Sequence, residues 1–144
     1  MKYFWKYGIP AYYSILNGAI FYNGNYSSVN VYDGMVPPNA TSEPIYIVLG
    51  ERLSNQTANK TMSQFDASLL IDVVAKTGSF GYKDSEDIAS QILGLINQFA
   101  NPNTMPDFQI ATTRVSTFNL SGLNPTDNIF RTLIRFEHKV LQQN

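Results

Sequence analysis

Residues 65–76, FDASLLIDVVAK, set Phe65, Ala67, Leu69, Ile71 and Val73 at every second position, with Asp66, Ser68 and Asp72 between them. Side chains of an extended strand alternate between faces, so this run predicts a strand with one face on a core. Leu70 and Val74 break the alternation, which predicts cover on both faces at mid-strand. Such a strand cannot stand alone. It needs neighbouring strands and a layer over its apolar side.

The sequence supplies both. Upstream, NVYDGMVPPNATSEPIYIVLGE holds two strand-like runs. Pro37 and Pro38 stiffen the connector between them, because neither can donate to a ladder. Residues 45–52 form the later run, with Ile45, Ile47 and Leu49 on one face, and the polar stretch 54–64 reads as the tip of a long hairpin. Asn23-Gly24 signals a tight turn joining a short strand at 19–22 to another at 29–33. Downstream, 108–120 and 129–141 flank the turn-rich SGLNPTDN. In the last strand Phe130, Ile134, Phe136 and Val140 point one way, and Arg131, Arg135, Glu137 and Lys139 the other.

Two helices complete the layer. Residues 3–17 place Ile9, Tyr13 and Leu16 at helical spacing, continued by Ile20, with Pro10 expected in a first turn. The cluster Tyr3, Phe4, Trp5, Tyr7, Tyr12, Tyr13 packs on a sheet, or in part on a neighbouring subunit, where aromatic residues are enriched. Asp84 or Ser85 caps the second helix, Glu86 and Asp87 suit its first turn, and Asn101-Pro102 stops it. Its apolar stripe is Ile88, Ile92, Leu95, Ile96 and Phe99. The expectation is one α+β domain over 1–144: an antiparallel or mixed sheet of five to six strands with two helices packed on one face.

Chemistry is sparse. A net charge of −1 gives no basic excess of the kind that nucleic-acid binding uses, and without cysteine there is no thiolate, disulfide or zinc knuckle. Charged residues are only 15% of the chain, leaving a surface of Asn, Ser, Thr, Gln and Tyr that suits assemblies. The opening MKYFWKYGIPAYYSILNGAIFY is broken by Gly8, Pro10, Ser14, Asn17 and Gly18, so it reads as part of the fold and not as a leader or a membrane span. His138, the sole histidine, shares the parity of Phe136, which predicts a packed or edge residue. Asp66 and Asp72 lie six residues apart, about 20 Å along a strand, too far for a carboxylate pair. Gly78-x-x-Gly81 lacks the Lys-Ser/Thr ending of a phosphate loop. Arg114, Arg131, Arg135 and Lys139 read as a solvated strand face, with subunit salt bridges or passing nucleic acid as alternatives. No catalytic, cofactor or metal site is expected, and no enzyme.

In order along the chain, "ILNGAIFYNG…VNVYDGMVPPNA", "PIYIVLGE", "FDASLLIDVVAKTG" and "SEDIASQILGLI" resemble the tail terminator (tail completion) proteins of long-tailed bacteriophages. The resemblance covers roughly residues 10–100. It implies a structural virion protein that forms a ring, typically a hexamer, at the head-proximal end of the tail tube. The ring ends tail polymerisation and joins tail to head. The implied partners are sister copies, tail-tube and neck or head-completion proteins, with DNA only passing through the lumen, no membrane and no cofactor. The implied location is the virion neck or tail, assembled in the host cytoplasm. Interface positions expected on this basis are Trp5, Tyr12, Asn55, Gln56, Asn59, Lys60, Arg131 and Arg135. The alternatives are another neck component (stopper or adaptor), a tail-tube subunit, or a small binding module using the aromatic front end.

Overall fold

The computed structural model describes residues 3–22, 28–37, 43–57, 63–76, 81–96, 107–121 and 129–142. They form α1 (Trp5–Leu16), β1 (Asn30–Asp33), β2 (Ile45–Thr57), β3 (Ser63–Ala75), α2 (Lys83–Ile96), β4 (Phe108–Ser121) and β5 (Phe130–Gln142). The strands make one mixed sheet in the order β1-β2-β3-β5-β4, an α+β fold as expected. Neighbours run antiparallel except β1 and β2, which are parallel.

The alternation in β3 has the predicted cause. Phe65, Ala67, Leu69, Ile71 and Val73 are buried in the core, and Val74 is buried on the opposite parity. In β5 the same parity buries Ile134, Phe136, His138 and Val140. Both helices cover this one face. Tyr12 of α1 reaches His138, and Ser85 of α2 reaches Thr132, two β5 residues of equal parity. Beneath α1 the rings interlock: Phe4 meets Phe108 edge-on at 5.4 Å and Tyr12 lies 5.7 Å from Phe136. Gly8 makes room for this, since a Cβ there would stand 2.8 Å from the Trp5 ring.

Four features differ from the expectation. Strand β2 continues to Thr57 and β3 starts at Ser63, so the polar stretch 54–64 is strand at both ends. The register shifts between Leu49 and Arg52, and a Cβ on Gly50 would sit 3.1 Å from Leu70 O. The bulge swaps the parity of β2, so Tyr46 and Val48 share the open face with Leu53 and Asn55. Secondly, among the described residues the short hairpin shows a single bridge, Phe21 to Ser28, and β1 turns to β2 as its ladder partner. The Asn23-Gly24 turn lies outside the described residues. Thirdly, Pro10 stands inside α1, past its first turn, where it has no N–H to offer. Fourthly, neither Asp84 nor Ser85 caps α2. The helix starts at Lys83, the Ser85 hydroxyl donates to Tyr82 O at 3.1 Å, and buried Asp84 accepts from the Tyr22 hydroxyl at 3.2 Å. Helix α2 ends at Ile96, and Phe99 and Asn101-Pro102 lie outside the described residues.

Candidate assembly surface

Strand β4 closes one side of the sheet. Its inner margin is hydrogen-bonded to β5 from Phe108 to Ser121, and no strand pairs its outer margin among the described residues. Residues 111–120 are exposed without a break. Alternate residues of a strand face opposite ways, so both faces of β4 are bare. The exposed side chains include Val115 at 46%, Phe118 at 42% and Leu120 at 43%. Edge strands of soluble proteins are normally short, charged, bulged or proline-bearing. Strand β4 has 14 residues with Arg114 as its only charge, no proline, and a register shift near one end, between Ile110 and Thr112.

Polar clips hold this bare strand in place from the helix face. Thr113 Oγ1 lies 2.9 Å from His138 Nδ1, and the Tyr12 hydroxyl lies 2.5 Å from His138 Nε2. A neutral imidazole donates from one nitrogen and accepts at the other, and each hydroxyl can take either role. Burial pushes His138 down to about 4 and raises Tyr12, so both are neutral near pH 7. Further along, Asn119 Nδ2 donates to Glu86 Oε1 at 2.9 Å, and the Thr132 hydroxyl donates to Asn119 Oδ1 at 2.8 Å. These contacts tie β4 to α1, α2 and β5.

Among the described residues the other side of the sheet carries no helix. At one end the Arg131 guanidinium grips Asp72 through Nε at 3.1 and 3.2 Å and Nη2 at 2.5 Å, and that bonding holds Arg131 firmly charged. At the other end a cavity of about 320 Å³ is lined by Asn55, Asp66, Arg114, Arg135 and Glu137 among others. Its lining mixes both signs of charge, Asp66 and Glu137 against Arg114, Arg135 and Lys139, and includes His138, which is tied to Tyr12 and Thr113. Among the described residues no three of His, Cys, Asp and Glu gather to hold a metal ion, and no helix is long and apolar enough to cross a membrane.

The expected interface residues divide. Trp5 and Tyr12 are 2% and 0% exposed, so their aromatic surface is spent inside the chain. The Trp5 indole donates to Leu53 O at 2.9 Å. They are core residues, because α1 lays its apolar stripe on the sheet. Asn55 and Gln56 are exposed on β2 beyond the bulge, while Asn59 and Lys60 lie outside the described residues. Arg131 is committed to Asp72, whereas half-buried Arg135 has no ion pair among the described residues. Sequence reasoning missed β4 as a surface. Its signal was a long strand-like run carrying one charge and no proline.

No family model and no curated protein matches the chain. Among solved structures, a chain of the "virion of native gene transfer agent (GTA) particle" aligns with a TM-score of 0.58 at 15% identity. The alignment covers 90% of this chain and 84% of that one. At this identity the likeness is one of fold.

Proposed function

We propose that this chain is a structural protein of a tailed, phage-like virion, in which copies assemble into a ring at the head-proximal end of the tail tube. The ring ends tail polymerisation and joins the tail to the neck and head, with DNA passing through its lumen. The observation that carries this reading is β4, a 14-residue edge strand with residues 111–120 bare on both faces. A strand of that length is a template for pairing with another chain, and a lone copy leaves it open. The fold likeness to a chain of a gene transfer agent virion particle supports the setting. The order of sequence phrases that resembles tail terminators supports the position in the tail.

Light scattering after size exclusion, with negative-stain imaging, tests the assembly. The expected result is a closed ring of about six copies. Val115→Lys and Phe118→Lys put charge on exposed β4 positions, so both variants should fold yet stay monomeric. Adding the purified ring to tails assembled without it should stop them at uniform length. A wild-type monomer at high concentration, or tails that grow on regardless, would refute the reading.

A further inference from the structure

A closed ring of more than two copies joins two different surfaces of the subunit. Strand β4 is one, and the opposite side of the sheet offers a second. Strand β1 has four residues and pairs only with Tyr46–Leu49 of β2. Beside residues 54–57 of β2, which pair with β3 on their inner side, no strand occupies the next row of the sheet among the described residues. The margin therefore has a step one strand deep, with β1 as its end wall. Resting on the ring reading above, we infer that β4 of one copy enters this step and pairs with residues 54–57 of β2 in the next copy.

Length and chemistry fit. Four residues give about 14 Å of ladder, enough to fix register while the rest of β4 lies along the neighbour. Leu53, Asn55 and Gln56 are exposed there, and the Trp5 indole has already taken Leu53 O, so the inner end of the step is sealed by α1. The charges are complementary. Arg114 is the only charge of β4, and Glu51 stands exposed at the root of the step; neither has an ion pair among the described residues.

The competing contact, β4 against β4 across a twofold axis, is disfavoured by the same residue. Opposed side chains in an antiparallel pair share a face, so full overlap places Arg114 opposite its own copy or one diagonal step away. Like charges so placed repel. The stepped pairing avoids this and propagates in one direction, as a ring requires. Two positions expected at an interface, Asn55 and Gln56, thereby gain a partner in β4.

The chain has no cysteine, so introduced thiols are unambiguous. Ser116→Cys and Asn55→Cys sit on the open face of β4 and of β2, at exposed positions. Mixed and treated with a short bismaleimide, the two variants should give a crosslinked dimer, and neither alone should. The double variant should give a ladder ending at the ring number. A dimer from Ser116→Cys alone would establish the twofold contact and overturn the inference. So would an oligomer by light scattering that yields no mixed crosslink, and in that case the ring reading survives. A monomer by light scattering would sink both. As a second measurement, Arg114→Glu and Glu51→Arg should each weaken association by about tenfold, and their combination should restore it. Loss without restoration would count against the pairing.

Discussion

Acid should destabilise this protein through one residue. His138 is 2% exposed, between Tyr12 of α1 and Thr113 of β4, with Phe136 stacked at 6.2 Å. Desolvation by burial brings the ring down to about 4 from 6.5. Above pH 6.5 the imidazole is neutral in both folded and unfolded chains and stability does not depend on it. Below 6.5 the unfolded chain takes up a proton that the fold refuses, so stability falls with pH until the folded ring protonates near 4. From pH 7 to pH 5 the difference in proton uptake amounts to about 2 kcal/mol. Because the chain has a single histidine, its imidazole proton resonance is unambiguous and should titrate far below 6.5. Urea unfolding at pH 7, 6 and 5 should follow the calculated loss, and His138→Gln should flatten it. A resonance midpoint near 6.5, or parallel losses in wild type and variant, would refute the reasoning.

Gly8→Ala places a Cβ 2.8 Å from the Trp5 ring and 3.1 Å from Phe4. Despite the helix preference of alanine, it should lower stability by about 1–3 kcal/mol, read as a fall in Tm by circular dichroism. Arg131→Met removes a forked pair whose side chains are 39% and 18% exposed. The expected loss is about 1 kcal/mol or less in urea titrations, and it should shrink in high salt. Tyr22→Phe deletes the hydrogen bond to buried Asp84, costing about 1 kcal/mol by the same assay.

The elements that were legible in sequence are those whose signal is local. The alternation of β3 and the apolar stripe of α2 state directly which side is buried: the structure buries Phe65, Ala67, Leu69, Ile71 and Val73 of β3 and Ile88, Ile92 and Ile96 of α2, with Leu95 partly buried. What sequence concealed depends on partners far along the chain. The bulge at Gly50 shifts the parity of β2, so residues 54–57 look like loop although they are strand. Asn23-Gly24 marks a place to turn but says nothing of where the next strand will pair, and β1 goes to β2 in parallel. Trp5 and Tyr12 are as apolar and aromatic as interface residues would be, and only the docking of α1 decides that they face inward. Strand β4 reads as an ordinary hairpin arm, because its bareness comes from the helices covering other strands.

That bareness raises a physical problem, since an uncovered edge strand gains little from apolar burial and should fray. Strand β4 answers it with hydrogen bonds. Its ladder to β5 runs nearly end to end, Thr113 bonds His138 of β5, which in turn bonds Tyr12 of α1, and Asn119 bonds Glu86 of α2 and Thr132 of β5. An apolar clamp in those places would have drawn the helices over β4 and closed the surface. Polar clips hold the backbone straight while leaving Val115, Phe118 and Leu120 in solvent. A strand already ordered before it meets a partner loses less conformational entropy on association, which raises affinity without any added contact. The network around His138 fixes α1 on the sheet through Tyr12 and holds β4 through Thr113, and in the proposed assembly it would present the edge already ordered.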